Sequence, residues 1–426
     1  MIDIRLIRES PELVLAGAKK KRIQLDLEPI RQLDAQKTAA QQELDRLRSE
    51  QNAAAKAIGQ APPSERARLA EGQKQQKALL KEKEEAFARM EAELRTLLLR
   101  VPNLPCADVP EGKDDSENVE VKRWGTPRSF DFPMRDHITL GEGQDWIDVE
   151  RGARLAGSRN YFLKGALSLL EGAVMRFALD RMCQKGFVPL SVPTLVRSEI
   201  MVGTGYFPGG EEQAYRCDER DDLCLVGTAE VPVTALHQDE ILKAAELPRL
   251  YVALSSCYRR EAGTYGKDTR GLYRVHQFQK VEQVVVDVAD AGKSIEHHLM
   301  IVRNAEEVLQ ALELPYRIVN VCGGDLGAPQ IQKFDIETWM PSRKNYGETH
   351  SASRFHDYQA RRLNMRYRDE QGKVQFCHTL NNTVAASVRM LIALLENHQR
   401  ADGTVWLPPA LRPYMGGRET IGKALA

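Results

Sequence analysis

The chain has 426 residues, and its 60 lysines and arginines balance 60 aspartates and glutamates. This length allows two or three domains, each with its own core. The neutral balance excludes a binding mode that depends on a global positive field, so any contact with nucleic acid must come from local patches or from shape.

The cysteines and the N-terminus indicate the cellular compartment. Seven cysteines are present, an odd number, and none forms a CxxC pair, which favours reduced thiols over a disulfide framework. The N-terminus lacks the apolar core of a signal peptide, and no run of about 18 consecutive apolar residues occurs. We therefore expect a soluble, cytoplasmic protein without a membrane partner.

Two long helices are predicted in the first hundred residues. Apolar residues recur at spacings of three and four over 30–47, which is typical of a coiled coil. Residues 59–64 interrupt this pattern, with Ser64 as the expected cap of the next helix. The spacing resumes over 69–97. The two helices, over about residues 27–99, predict an antiparallel hairpin about 50 Å long, which we call the arm.

The arm does not define a function by itself. Its basic and acidic residues are nearly equal in number, so it is a mixed-charge surface and not a polycation. A dimerisation or spacer coil explains such a hairpin as well as a nucleic-acid contact does.

The remainder of the chain predicts an α+β fold. We expect an N-terminal domain at 1–105, a linker and the start of the catalytic body at 106–165, and a catalytic domain at 166–426. Helices are predicted at 166–184, 237–246, 294–312 and 385–398, and strands at 250–259, 273–286, 316–321 and 333–339. Strands without a regular strand-helix-strand rhythm favour an antiparallel sheet with flanking helices.

A predicted strand, loop and return strand at 255–282 concentrates the polar candidates. The GxxxxGK[ST] and GxGxxG signatures are missing, so side chains are expected to hold any phosphates. Because strand side chains alternate, Arg274, His276, Phe278, Lys280 and Glu282 are expected on one face of the return strand. A solvated sheet face of alternating charge is the alternative that this hairpin alone leaves open.

A second group of candidates lies at 377–396. Arg389 stands there in an otherwise apolar stretch of predicted helix. An isolated arginine of this kind can extend to the surface. Beside an anion, its guanidinium offers planar bidentate bonding that lysine does not match.

These segments resemble the motifs of a known class of enzymes. Arg259-Arg260-Glu261 with the return strand resembles motif 2 of class II aminoacyl-tRNA synthetases, and residues 381–389 resemble motif 3. Residues 186–193 resemble motif 1, whose proline would be Pro193. The HIGH and KMSKS sequences of the other synthetase class are absent. Thr228-Ala229-Glu230, the strand from Arg270 to Glu282 and the arm narrow the resemblance to bacterial-type seryl-tRNA synthetases, over essentially the whole chain.

The resemblance implies ATP-dependent activation of serine and its transfer to the terminal adenosine of serine tRNA. Arg259 and Arg389 would be catalytic. The implied ATP-binding residues are Arg259, Arg260, Glu261, Arg274, Val275, Phe278, Glu348, Thr349, His350, Ser351 and Arg389. Glu348 and Ser351 would also bind Mg²⁺ through hard oxygen atoms, and no zinc site is expected. The family usually has Val or Ile and then Ser where this chain has Thr349 and His350.

Serine itself would be bound by a second set of residues, namely Thr228, Ala229, Glu230, Arg259, Glu282 and Thr383. Glu282 and Thr383 would receive the side-chain hydroxyl, whereas Thr228-Ala229-Glu230 in isolation could equally be a helix cap. The resemblance also implies a homodimer and an arm that grips the long variable arm of the tRNA. Whether selenocysteine tRNA is a further partner stays open.

Three alternatives are weighed against this interpretation. A synthetase-like ligase that charges a carrier protein generally lacks the arm and uses zinc. A non-catalytic RNA-binding paralogue has no need of the full set of charged site residues. A purely structural coiled-coil protein explains the arm and nothing after residue 160.

Overall fold

The computed structural model describes residues 1–218, 220–263 and 271–425. These residues form two compact units. The first comprises Met1–Lys19 and Ile23–Pro102, and the second comprises Lys20–Arg22 and Asn103–Ala426. Arg270, part of the predicted return strand, lies outside the described residues.

The first unit is helical. Its helices are α1 (Ile4–Glu9), α2 (Pro11–Lys20), α3 (Glu28–Gln60) and α4 (Pro63–Leu98). The antiparallel hairpin expected from the sequence is formed by α3 and α4. The helix break is shorter than predicted, because α4 begins at Pro63 with Pro62 as its N-cap residue. Ser64 therefore lies inside the helix and does not cap it.

Leucine burial and ion pairs hold α3 and α4 together. Leu44, Leu47 and Leu80 form a buried cluster between the helices, and burying each contributes about 2 kcal/mol. Lys37 pairs with Glu91 at 2.7 Å across the same interface. Surface pairs of this kind add little to the free energy of unfolding, so the leucine seam is the main source of stability.

The second unit contains eight further helices and eighteen strands among its described residues. The helices are α5 (His137–Gly143), α6 (Val149–Ala156), α7 (Gly165–Gln184), α8 (Ser198–Thr204), α9 (Glu230–Thr234), α10 (Ala291–Ala311), α11 (Tyr358–Leu363) and α12 (Ser387–His398). The strands are β1 (Val119–Trp124), β2 (Ile147–Asp148), β3 (Phe162–Leu163), β4 (Val188–Leu190), β5 (Leu195–Arg197), β6 (Tyr215–Arg216), β7 (Leu223–Leu225), β8 (Ile241–Lys243), β9 (Arg249–Tyr258), β10 (Gln277–Asp287), β11 (Tyr316–Asn320), β12 (Gln332–Met340), β13 (Asn345–His356), β14 (Arg366–Arg368), β15 (Val374–Phe376), β16 (His378–Ala386), β17 (Val405–Trp406) and β18 (Thr420–Ile421). In the described part of the chain, no helix is both long and apolar enough to cross a membrane.

An eight-stranded sheet organises this unit, in the order β1-β11-β12-β13-β16-β10-β9-β4. Neighbouring strands run antiparallel except for β4, which pairs parallel to β9. Residues of α7, α10 and α12 form the main core against one face of the sheet. The prediction of an α+β fold with an antiparallel sheet and flanking helices is confirmed. The segment expected as a linker supplies β1, an edge strand of this sheet.

Three predicted elements differ from the structure. Residues 237–246 do not form a helix; they contain the short strand β8 between two 3-10 turns. The helix predicted from 385 starts at Ser387, because β16 continues through Ala386. The return strand starts at Gln277 and not at 273. Arg274 and His276 consequently precede the strand, and the expected face of five alternating side chains is reduced to Phe278, Lys280 and Glu282.

Candidate active site

A polar cavity of about 490 Å³ lies along β10, β13 and β16 of the large sheet. It is lined by Arg259, Glu261, Tyr273, Arg274, Val275, Phe278, Lys280, Glu348, Thr349, His350, Thr383, Ala386, Val388 and Arg389. Most of the predicted ATP-binding residues are thus brought together from four separate chain segments. Two are not among the lining residues, namely Arg260, whose side chain is exposed, and Ser351.

An adjoining cavity of about 1110 Å³ shares part of this wall. The shared residues are Arg259, Glu261, Arg274, Glu348 and Arg389, and the second cavity adds Tyr206 and Gly227. Three guanidinium groups therefore face a continuous cleft. Such a wall can neutralise a polyanion in an environment partly shielded from water.

Arg259 stands where the two cavities meet. The antiparallel pairing of β9 and β10 places it one residue beyond Tyr258, the last residue of β9. Its guanidinium lies 5.3 Å from the centre of the Phe278 ring, and Nη2 donates to the Gly227 carbonyl at 3.4 Å. Packing against an aromatic ring fixes a planar cation while leaving further N–H groups free to bind a ligand.

Arg274 and Glu261 form a pair in the cavity wall. Arg274 Nη1 donates to Glu261 Oε2 at 3.2 Å, although Arg274 lies on the loop before β10. Glu261 adopts a positive φ of 51°, a conformation that is uncommon outside glycine and often found at functional sites. Arg274 therefore reaches the cavity as predicted, but from the loop before β10 and not from the strand that the sequence pattern indicated.

Arg389 is anchored at the start of α12. Its Nη1 donates to the Glu348 backbone carbonyl at 2.6 Å and lies 3.3 Å from Glu348 Oε2. Burial disfavours the charged form of Glu348, but Arg389, Lys333 and Arg259 outweigh this effect and lower the Glu348 pKa. Glu348 is therefore an ionised carboxylate in the cavity wall.

Tyr273 supports two arginines. The guanidinium groups of Arg343 and Arg389 lie 4.2 and 4.8 Å from the centre of its ring. A Cβ at Gly347 would come within 2.8 Å of the Tyr273 hydroxyl oxygen. Glycine at this position thus gives the tyrosine the room to support Arg389.

Replacing Gly347 with alanine is expected to weaken binding of the ATP that the resemblance implies, with a KM for ATP raised roughly tenfold, since overpacking typically costs about 1–3 kcal/mol and here displaces the ring behind Arg389. The KM for the amino-acid substrate should change little. Gly72→Ala is a matched control, because Gly72 lies in α4 and a Cβ there meets nothing within 4 Å. Steady-state kinetics of both variants check the prediction, and an unchanged KM for ATP in Gly347→Ala contradicts it.

Glu230 is buried beside the second cavity. It accepts hydrogen bonds from the Tyr206 hydroxyl and from Gln359 Nε2, both at 2.8 Å. Burial, with a further contribution from the charge of Glu282, raises the Glu230 pKa to about 7. A cation bound beside this carboxylate would favour its charged form, which burial alone disfavours.

Thr228 and Ala229 form the turn that carries Glu230. The Thr228 hydroxyl oxygen accepts a hydrogen bond from the Glu230 backbone N–H at 3.2 Å, and Ala229 is fully buried. This bond lies in the turn before α9 and is not a helix cap, because the N-cap residue of α9 is Ala229 and α9 has no side-chain cap. It does not exclude a binding role, because the same turn positions the Glu230 side chain.

Glu282, Thr383 and Lys280 form a buried polar cluster. Thr383 Oγ1 donates to Glu282 Oε2 at 3.1 Å, and Lys280 Nζ lies 2.5 Å from the same oxygen. The residues face one another because β10 and β16 pair with Glu282 opposite Thr383, after a register shift between Val281 and Glu282. Thr383 and Lys280 line the cavity, and both contact Glu282, which is not among the lining residues.

Thr349 and His350 have their own partners in the sheet. His350 Nε2 bonds to the Val384 carbonyl at 3.0 Å, and its Nδ1 to Thr349 Oγ1 at 2.8 Å. Burial lowers the His350 pKa to about 4, so the imidazole is neutral at physiological pH. His350 therefore joins β13 to β16, and Thr349 joins β13 to β12 through the Thr338 hydroxyl at 2.6 Å.

The surroundings of Glu348 and Ser351 can accommodate a cation. In the described chain, no group of three or more histidine, cysteine or acidic side chains is arranged to hold a metal. However, Asp335 lies directly opposite Ser351 in the pairing of β12 and β13, and its buried Oδ1 has no hydrogen-bond partner among the described residues. Burial raises the Asp335 pKa to about 7; Lys333 opposes this effect and the charge of Glu348 adds to it. The Glu348 carboxylate lines the cavity and is the kind of hard oxygen ligand that Mg²⁺ prefers, whereas Asp335 is already paired with Lys333 at 3.1 Å.

Several site residues were not identified as such from the sequence. Tyr206, Tyr273 and Gln359 are single residues on loops or short helices, and no periodicity marks them. Lys280 was expected on the face of the return strand, but no role was assigned to it. The available signal was strand alternation, which puts Lys280 on the same face as Glu282, two residues later.

Comparison with known proteins matches both parts of the chain to families of aminoacyl-tRNA synthetases. A family model described as the tRNA synthetase class II core domain (G, H, P, S and T) matches residues 215–398. A model of the seryl-tRNA synthetase N-terminal domain matches residues 1–105. The serine–tRNA ligase of Deinococcus radiodurans is 49 % identical over 423 residues, covering 99 % of each chain.

Solved structures agree with these matches. Seryl-tRNA synthetase from Pyrococcus horikoshii, complexed with ATP, superposes with a TM-score of 0.91 at 39 % identity and covers all of both chains. The cytoplasmic serine–tRNA ligase of Naegleria fowleri, in complex with AMP, has a TM-score of 0.87 at 32 % identity and covers 99 % of each chain. The sheet, the arginine-lined cleft and the core-domain match define a class II aminoacyl-tRNA synthetase. Within that class, the chain belongs to the seryl-tRNA synthetase family.

Proposed function

We propose that this chain is a serine–tRNA ligase that activates L-serine with ATP and transfers it to serine tRNA. In the first step the serine carboxylate attacks the α-phosphorus of ATP, which gives seryl-adenylate and releases pyrophosphate. In the second, a hydroxyl of the terminal adenosine attacks the carbonyl carbon and AMP leaves. The observation that carries the proposal is the cleft lined by Arg259, Arg274 and Arg389. Two further lining residues, Tyr206 and Thr383, hold the buried carboxylates of Glu230 and Glu282 beside it.

The arginine wall accounts for the ATP half of the site. Negative charge accumulates at the α-phosphate during in-line attack, and a fixed cation such as Arg259 stabilises it. Arg274 and Arg389 are suited to the β- and γ-phosphates. Phe278 supplies a ring for the adenine to stack on, Val275 lines the base pocket, and Glu261 is available to the adenine amino group. Arg260, Thr349, His350 and Ser351 complete the proposed ATP-binding set.

The buried carboxylates account for the serine half. Glu230, supported by Thr228 and Ala229, is suited to the α-ammonium, and Arg259 to the carboxylate. Glu282 and Thr383 offer hydrogen bonds to the side-chain hydroxyl. A pocket built for a hydroxyl rejects alanine, because its buried polar groups would be left without partners.

The Glu230 carboxyl gives the site a specific pH dependence. Below its pKa of about 7 the carboxyl is protonated and neutral, so it cannot pair with the ammonium; above it the pair forms. We therefore expect kcat/KM for serine to rise as the pH increases from 6 to 8, since this parameter reports ionisations of the free enzyme. The conservative Glu230→Gln variant should lose that rise, and a wild-type profile without a step near pH 7 argues against the assignment.

Mg²⁺ is the proposed cofactor, held by Glu348 and Ser351. When bound, it neutralises phosphate charge and orients the pyrophosphate leaving group. In this arrangement Arg389 positions Glu348 through its carbonyl and carboxylate contacts. We propose no zinc requirement.

The proposed macromolecular partners are serine tRNA and a second copy of the chain. The mixed-charge arm suits recognition of the tRNA variable arm by shape and backbone contacts, as is usual for double-stranded RNA. Residues 186–193 and α7, similar to motif 1, support a homodimer. Selenocysteine tRNA is a further candidate substrate. The seven cysteines are all unpaired in the structure, and we propose that the enzyme acts in the cytoplasm.

A charging assay tests the complete reaction. The chain, ATP, Mg²⁺ and labelled serine are incubated with a serine tRNA transcript, and with the same transcript lacking its long variable arm. We expect seryl-tRNA only with the intact transcript. Absence of charging on both, while seryl-adenylate still forms, would contradict the proposed acceptor.

A further inference from the structure

Lys280 is a buried charged residue to which the function proposed above gives no task. It lies on β10, its side chain is 7 % exposed, and it lines the smaller cavity. A buried ammonium group is costly unless it is paired and hydrogen-bonded. Because Lys280 lines a substrate cleft, we consider a role in binding the substrate.

The contacts of Lys280 are both made within the serine-side pocket. Its Nζ lies 2.5 Å from Glu282 Oε2 and donates to Thr383 Oγ1 at 3.4 Å. Thr383 in turn donates to the same Oε2. The three side chains thus form a closed triangle on one oxygen of Glu282. An ammonium has three N–H donors, and these two contacts use two of them.

We propose that Lys280 is a specificity-determining residue that donates its third N–H to the oxygen of the substrate hydroxyl, while Glu282 accepts a hydrogen bond from that hydroxyl. This inference rests on the proposed function, because it assumes that serine occupies this pocket. Serine then meets one donor and one acceptor, whereas alanine meets neither. Loss of both contacts leaves a buried charge pair without its ligand, which is the condition for strong rejection.

Lys280 also balances the charge of two carboxylates. The groups that face Glu230 are Tyr206, Gln359, Glu282 and Lys280. Glu282 raises the Glu230 pKa, and Lys280 lowers it. Removing the ammonium would leave Glu230 and Glu282 to repel each other, so Glu230 would ionise at a higher pH. A residue that only filled space would not have this effect.

The test is the selectivity of Lys280→Met in ATP–pyrophosphate exchange. Methionine preserves the length of the side chain and removes the charge and the donors. We expect the ratio of kcat/KM for serine to that for alanine to fall by about 100-fold, the effect of losing one hydrogen bond to a charged group, with the KM for ATP unchanged within about threefold. Lys185→Met, which breaks a surface ion pair with Glu307 at 2.8 Å, is the matched control and should keep the wild-type ratio.

Two further readouts separate this role from a loss of folding. An unfolded fraction lowers kcat for both amino acids and leaves the selectivity ratio and the KM values unchanged. The pH midpoint of kcat/KM for serine should move upward in Lys280→Met and stay near 7 in Lys280→Arg, which keeps the charge. If the methionine variant does not fold, the arginine variant carries the test: its planar group cannot place the same single N–H, and we expect about tenfold lower serine selectivity.

The outcomes for Lys280 and for the proposed function are distinguishable. A wild-type enzyme that does not respond to serine refutes the function, whatever the variants do. If the wild type is serine-specific and the folded Lys280 variants keep its serine-to-alanine ratio, the role of Lys280 is overturned and the function stands.

Discussion

Replacing Arg259 with alanine is expected to lower kcat/KM for serine-dependent pyrophosphate exchange by about 10²- to 10³-fold, the usual cost of removing one fixed donor that stabilises transition-state charge. Arg259 lines both cavities and is held against Phe278, so no neighbouring cation can take its position without moving. Lysine should restore little activity, because a point charge does not reproduce planar bidentate contacts. Exchange kinetics with saturating ATP provide the measurement.

Arg220→Ala is the control for this substitution. Arg220 is 87 % exposed and pairs with Asp218, away from the lining of either cavity. Its loss should leave exchange unchanged. If the Arg259→Ala enzyme has a kcat/KM near the wild-type value, Arg259 does not stabilise the transition state and the catalytic role is contradicted.

Deleting residues 30–97 and joining the ends with a short glycine-serine turn is expected to abolish charging of serine tRNA while preserving pyrophosphate exchange. The deleted residues lie in the helical first unit, and every residue that lines the cleft lies in the second. The physical basis is that amino-acid activation requires only small substrates, whereas transfer requires the tRNA to be held. Exchange and charging are measured on the same preparation, so exchange serves as the internal control.

Two results would contradict this division of labour. Loss of exchange in a folded deletion variant would mean that the arm supports the activation site. If the deletion variant still charges tRNA, and its rate depends on tRNA concentration as in the wild type, the arm does not contribute to tRNA binding.

The long periodic elements of the fold could be predicted from the sequence. The heptad-like spacing of the arm and the alternation of the central strands each repeat over many residues, so they survive local exceptions. Errors occurred where tertiary contacts override local pattern. The segment 237–246 reads as a helix, yet β8 pairs with β14, more than a hundred residues later in the chain, and no local signal reveals that partner.

The site was predicted largely through resemblance and only partly through physics. Alternation alone placed Phe278, Lys280 and Glu282 on one face of a strand, and all three residues lie in β10. It misplaced Arg274, because the strand starts three residues later. The sequence could not reveal that Tyr206 and Gln359 converge on Glu230, since those contacts depend on how α8, α9 and α11 pack. Individual residue roles therefore remain predictions for the variants described above.

The most direct test of serine activation is pyrophosphate exchange measured with each of the twenty amino acids in turn. The wild-type chain, ATP, Mg²⁺ and labelled pyrophosphate are the only other components required. We predict label in ATP with serine and background with alanine, threonine and the rest. No exchange with serine, or faster exchange with another amino acid, would contradict the proposed function.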